Sequence, residues 1–183
     1  YDGTGRLWSQ TKSLVRGALP FERSARHLDI ANVIDFMLLW VSGNSESEFR
    51  SAGAVPLGVP FKFFMKDADG FLRSPGHSAS HNGPLNVMTE MRSEGDPDYE
   101  TLVADRIHKH FFNDGALTPA RNIARLQARV DECQLSFYSE AARWDFRTPS
   151  SWQSYQNNLL NNHFVGLTNT MIGRFQSAGM YPS

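Results

Sequence analysis

The residues best suited to chemistry are Asp67 and Asp69, at the end of the run Phe61-Lys62-Phe63-Phe64-Met65-Lys66-Asp67-Ala68-Asp69-Gly70-Phe71. Side chains of an extended strand alternate between faces, so Phe61, Phe63 and Met65 share one side and Lys62, Phe64 and Lys66 the other. The acids then emerge where the strand leaves the core. Asp67 and Asp69 share a face in an extended chain, and a turn at Gly70 lets both carboxylates converge on one hard cation. Magnesium suits this, because it takes one or two carboxylates and completes its shell with water and substrate phosphates. The same residues also suit a plain Asp-Gly turn in which Gly70 supplies a positive φ.

Competing chemistries find less in the chain. A calcium loop counted from Asp67 needs glycine at its sixth place, where Leu72 stands, and no acid closes it. His108 and His110 sit two apart on a predicted helix and point to different sides, while His77 and His81 lie in a loop and read as solvated. With one cysteine and no helical His-x-x-x-His pair, a zinc site is unsupported. No Gly-x-Ser-x-Gly turn offers an activated serine. Gly3-Thr4-Gly5 lacks the third glycine and the Lys-Ser or Lys-Thr of a phosphate loop. A nucleotide-sugar site built on Asp-x-Asp would need an alternating βαβ pattern, which is not found.

The elements that must position the acids are mostly helical. Leu7, Trp8, Leu14 and Val15 predict a short helix ended by Gly17 and Pro20. Asp29 caps a second helix carrying Ile30, Val33, Ile34, Met37, Leu38 and Val41, and Gly43-Asn44 stops it. Phe49 and Val55 supply a weak strand that pairs antiparallel with the stronger strand Val59 to Met65. Ser74 to Gly95 has no period and many breakers, and reads as a long surface loop.

Asp96-Pro97 then starts a helix whose buried stripe is Tyr99, Leu102, Val103, Ile107 and Phe111, with Asn113-Asp114-Gly115 ending it. Thr118-Pro119 starts a long helix through Ile123, Leu126, Val130, Phe137 and Ala141, in which Cys133 is expected to be buried packing. Ser150 and Gln153 resemble a capping box for a helix with Trp152, Tyr155 and Leu159. A last helix carrying Phe164, Leu167, Met171 and Phe175 closes at Gly179. Arg143-Trp144 with Glu140, and Asp105-Arg106, read as anchors between helices, and Lys62 and Lys66 as solvated strand lysines. The fold class is α+β, mainly helical, with a small antiparallel β-hairpin holding the acids.

Composition limits the partners. In a chain of 183 residues, 40% hydrophobic side chains are enough for a sizeable core and argue against disorder. Eighteen basic against nineteen acidic residues give a formal charge of -1, so no general field attracts nucleic acid or anionic membrane. Phosphate binding must be local. The longest apolar run, Val33 to Val41, contains Asp35 and falls far short of the roughly 20 residues of a membrane span. The single cysteine excludes an internal disulfide framework. No signal peptide is visible, and the chain opens at Tyr1, as a processed or excised piece would.

Several pieces, in order, resemble the spore-coat-protein-H (CotH) kinase-like family. They are Leu28-Asp29-Ile30-Ala31-Asn32-Val33-Ile34-Asp35-Phe36-Met37-Leu38, Gly43-Asn44, Phe61 to Arg73, Ala104-Asp105-Arg106-Ile107, Gly115-Ala116-Leu117-Thr118-Pro119, Glu140-Ala141-Ala142-Arg143-Trp144 and Gly179-Met180-Tyr181-Pro182. The resemblance implies an atypical protein-kinase-like fold that transfers phosphate from ATP to protein hydroxyls with Mg2+ or Mn2+. Asp67-Ala68-Asp69-Gly70 stands where the family has its metal-binding Asp-x-Asp motif. After the Gly-Asn turn the family commonly has a catalytic aspartate; here the nearest carboxylate is Glu46, with Asn44 beside it as a positioning residue.

A glutamate reaches about one methylene further, and a displacement of about 1 Å can cost about a hundredfold in rate. The family's ATP-covering lobe would precede Tyr1, so residues 1–183 are expected to form a C-terminal lobe that is inactive alone. The implied partner is a coat or cell-surface protein substrate, with a spore-coat or extracellular setting by family analogy. The departure at Glu46 keeps a second reading open, a non-catalytic pseudokinase or surface interaction domain.

Overall fold

In the computed structural model, the described residues are 25–26, 28–43, 52–53, 60–65, 72, 88, 91–93, 95–145 and 147–182. They are mainly helical. The helices are α1 (Ile30–Gly43), α2 (Pro97–Phe111), α3 (Pro119–Trp144), α4 (Pro149–Asn158) and α5 (Leu167–Ser177), with a π-helical turn Leu159–His163 between α4 and α5. Two short strands, β1 (Ala52–Gly53) and β2 (Lys62–Phe63), pair antiparallel with Ala52 opposite Phe63 and Gly53 opposite Lys62. The small antiparallel pair is present, with its first strand falling between the two residues expected to form it. The contacts divide into two compact units, residues 1–107 with 171–183, and residues 108–170.

In the first unit, α1 starts where Asp29 Oδ1 accepts the backbone N–H of Asn32 at 3.0 Å, a side-chain cap for an otherwise orphan donor. Ile30, Val33, Ile34, Met37, Leu38 and Val41 are all buried as their spacing predicts, and Phe36 and Trp40 join them. The helix is therefore apolar around most of its girth, which a helix surrounded by partners requires. Asp35 is the exception. Arg106 of α2 grips it through both guanidinium arms, with Nε at 2.7 Å from Oδ1 and Nη2 against Oδ2. Arg106 is thus an interhelical anchor as expected, and a partner of it is Asp35 of α1, while Asp105 is exposed.

Helix α2 is capped as its sequence indicates, with Asp96 Oδ1 accepting the N–H groups of Asp98 at 2.9 Å and Tyr99 at 3.3 Å. Tyr99, Val103, Ile107 and Phe111 are buried, and Leu102 is half-buried. The segment expected to be a loop up to Gly95 ends earlier: Met88 and residues 91–93 are helical, and Met88 and Met91 are buried. Their apolar side chains join the core of the first unit, which their place at the end of a breaker-rich stretch did not signal.

The Tyr99 phenol donates to the Met88 carbonyl at 3.4 Å, and burial pushes its pKa far above the ordinary 10.0. The folded chain holds this proton where the unfolded chain releases it. Stability from this group is therefore complete below pH 10 and falls as pH rises beyond it. Urea unfolding at stepped alkaline pH should show that decline, and Tyr99→Phe should flatten it. An equal slope in the variant would mean other groups govern alkaline unfolding.

In the second unit, α2 ends at Asn113, in the left-handed region with φ 51, and Gly115 then packs against the helix end. A Cβ on Gly115 would lie 2.5 Å from the carbonyl oxygens of Lys109 and His110, so only glycine permits this approach. Phe111, Leu117, Leu159, Phe164 and Leu167 are buried. Phe137 stacks on Trp152 of α4 with ring centroids 4.8 Å apart, and the Tyr138 hydroxyl accepts from Gln134 at 2.8 Å and Gln153 at 2.5 Å.

Three local expectations are corrected here. Thr148, followed by Pro149, caps α4 by accepting the Ser151 N–H at 3.2 Å, while the Gln153 amide reaches Tyr138; Ser150 and Gln153 do not form a box. No residue of α3 is buried, and the stripe Ile123, Leu126, Val130 and Phe137 is half-covered. Cys133 is exposed, because only the flank of that stripe near Phe137 meets α4. Arg143 lies over the Trp144 ring at 4.7 Å, a cation–π contact within α3 whose indole remains 63% exposed. It does not join two helices.

Candidate functional site

Asn44, Glu46, Asp67 and Asp69 lie outside the described residues, as do Lys66, His77 and His81. The described residues that flank them define what carries the site. Leu28 bridges Phe61 in parallel, and the Asp29 N–H donates to the Phe61 carbonyl at 2.9 Å. Three residues further along, in the first turn of α1, the Asn32 amide spans the backbone of Phe63: its Nδ2 donates to the Phe63 carbonyl at 3.1 Å and its Oδ1 accepts the Phe63 N–H at 2.6 Å. The Lys62 ammonium pairs with Asp29 at 3.3 Å. Lys62 is therefore a partner of the helix cap as well as a largely solvated lysine.

This tether fixes the facing of the strand. Phe63 is 3% exposed and stacks obliquely on Phe36 of α1 with centroids 5.7 Å apart, whereas Phe64 is 53% exposed. The alternation expected from the sequence is thus realised up to Met65, two residues before Asp67. Asn32 was not singled out from the sequence. An asparagine on the inner face of an apolar helix is the signal that could have found it, since its amide can serve backbone donor and acceptor together.

The other flank is held at the opposite end of the same helix. The Leu72 N–H donates to the Gly43 carbonyl at 2.5 Å, and Leu72 adopts a left-handed φ of 69. For a leucine that conformation costs roughly 1–2 kcal/mol, so the surrounding contacts must enforce it. The last carbonyls of α1 find further partners in Arg174, whose Nη1 donates to Val41 at 2.8 Å, and in Ser42, whose hydroxyl donates to Leu39 at 2.9 Å. Burial lowers the Arg174 pKa, since desolvation disfavours the charged guanidinium. A cation at a helix C-terminus also complements the helix dipole.

Helix α1 therefore acts as a strut. Its start holds the strand that leads into the acidic pair, and its end holds the residue that follows that pair. The same end precedes Asn44 directly. Asn32 and Gly43 are separated by about 16 Å along the helix axis. Two carboxylates in this chain segment have the donor chemistry of a magnesium or manganese site. Among the described residues no group of three or more His, Cys, Asp or Glu is placed to hold a metal ion, and no helix is long and apolar enough to cross a membrane.

Comparison with protein-family models, with curated proteins and with solved structures gives no match to this chain.

Proposed function

We propose that this chain is the phosphotransferase lobe of a CotH-like atypical protein kinase, which moves phosphate from ATP to hydroxyls of a protein substrate. Asp67 and Asp69 are the metal ligands in this reading, Glu46 the base that orients the attacking hydroxyl, and Asn44 a positioning group. A divalent ion held by the two aspartates would supply neutralisation of phosphate charge, the main requirement of phosphoryl transfer. One observation carries the reading: both flanks of Asp67-Ala68-Asp69 are tied to α1, at Asn32–Phe63 and at Gly43–Leu72. A site that must position charge to within a fraction of an ångström needs such rigid support.

The test uses Mn2+ as a probe of the metal site and phosphate transfer as the functional readout. Titration of the chain followed by electron paramagnetic resonance should give saturable Mn2+ binding, and Asp67→Asn should weaken it by about tenfold or more. In the natural protein that contains this chain, the same substitution should abolish ATP turnover. Mn2+ binding unchanged in the Asp67→Asn, Asp69→Asn double variant would remove the metal assignment.

A second reading, a non-catalytic interaction domain, draws on Glu46 in place of an aspartate and on α3, which displays Leu135 and Trp144 to solvent. Partner binding retained in a protein without ATP turnover would favour it.

A further inference from the structure

A groove of about 530 Å3 lies in the first unit, between the outer side of α2 and the residues that follow α5. Its apolar lining includes Pro97, Ala104, Met180 and Tyr181, and Glu100 and Asp105 stand on its rim. The wall after α5 is held in place. Gly179, at φ 64, reverses the chain, and the Met180 N–H returns to the Phe175 carbonyl at 2.8 Å. This six-to-one bond is the helix-ending arrangement that glycine favours. Met180 is thereby buried, and the Gln176 amide secures Pro182 at 2.8 Å.

The electrostatics of the groove are one-sided. From Gly95 to Asp105 the chain carries Asp96, Asp98, Glu100 and Asp105 and no basic residue, and from Gln176 to Pro182 it carries no charge. The guanidinium of Arg92 lies against Gly179, at one end of the groove, and among the lining residues no side chain is basic. Glu100 and Asp105 are both exposed, and being five apart on a helix they stand about 140° apart around its axis and about 7.5 Å apart along it. They therefore flank the apolar floor on opposite edges. In an extended peptide lying along α2, alternate side chains leave the same face about 6.6 Å apart, close to the axial offset, and the long stems of lysine or arginine must span the sideways separation of the two edges.

We propose that this groove docks an extended basic segment of a protein partner, with two lysines or arginines separated by one residue. Their aliphatic stems cover Ala104 and Tyr181, and their charged heads reach Glu100 and Asp105. A cation over the Tyr181 ring adds to the preference. None of these groove residues is among those named for phosphotransfer, so docking here is independent of that activity.

The full chain can be titrated against a fluorescein-labelled Gly-Leu-Arg-Pro-Arg-Leu-Gly peptide, with a Glu-for-Arg counterpart as control, by fluorescence anisotropy. The arginine peptide should bind about tenfold or more tightly than the control, and Glu100→Gln with Asp105→Asn should remove that difference. Both positions are exposed, so the double variant should keep its circular dichroism. Ala104→Arg, which occupies the floor, should block binding independently. Equal affinity for the two peptides, no binding at about 1 mM, or full binding by a folded double variant would overturn the proposal.

Discussion

Asp35→Ala should cost about 3 kcal/mol of unfolding free energy, measured by urea denaturation. The Asp35–Arg106 pair has side chains only 29% and 18% exposed, so the largely desolvated guanidinium would lose the Asp35 carboxylate while remaining among buried residues of α1 and α2. Removing one partner of a buried pair typically costs about 3–5 kcal/mol, and the residual exposure places this pair near the lower end. The informative comparison is Asp35→Leu with Arg106→Met. Replacing both charges by apolar side chains of similar length should restore stability to within about 1 kcal/mol of the parent, because no orphan charge remains. A single variant costing less than about 1 kcal/mol would show that the pair is screened like a surface bridge and does not anchor α2 to α1.

Asn32→Leu should be nearly as damaging and should also reach the candidate site. It removes both amide bonds to Phe63, each worth about 1–1.5 kcal/mol, and so should cost about 2–3 kcal/mol. The loss should be local before it is global. Amide exchange at Phe63 should accelerate by on the order of 100-fold, while exchange in α3 and α4 stays unchanged. Mn2+ affinity should fall even though Asn32 is not a ligand, since the strand that leads into Asp67 would lose its attachment to α1. Unchanged exchange at Phe63 would mean that the pairing with Ala52 and the packing on Phe36 suffice to hold the strand. In that case α1 would not support the site at its first end.

These two residues show where sequence reasoning reaches and where it stops. The helices were legible because their signals are local: Asp29 and Asp96 as caps, Pro97 and Pro119 at first helical positions, and Gly115 and Gly179 at the ends. The stripes Ile30 to Val41 and Tyr99 to Phe111 follow the 3.6-residue period directly. The alternation of Phe63 and Phe64 was legible for the same reason, because it needs only the two-residue period of an extended chain. The cap of α4 was misplaced because Thr148 and Ser150 both precede a helical pattern, and only Pro149 between them separates the two choices.

The partners of polar residues were not legible in the same way. Asp35 in an apolar run signals a buried charge, but Arg106 lies 71 residues away, and nothing in the local pattern distinguishes it from other arginines. Arg174 at the end of α1 is further still, 133 residues from Val41. Cys133 was misjudged because a periodic apolar stripe reports that a helix has a preferred face without reporting how much of that face its neighbours cover.

The amino-acid sequence by itself, though it missed the helical residues Met88 and 91–93, determined helices α1 to α5, which side of the short strand faces inward, and that two aspartates follow that strand. Those are properties of caps, breakers and periodicity, all decided within a few residues. Only the tertiary structure decided that one helix secures both flanks of the acidic pair, because the hydrogen bonds between Asn32 and Phe63 and from Leu72 to the Gly43 carbonyl join positions distant in the chain and depend on how the elements pack.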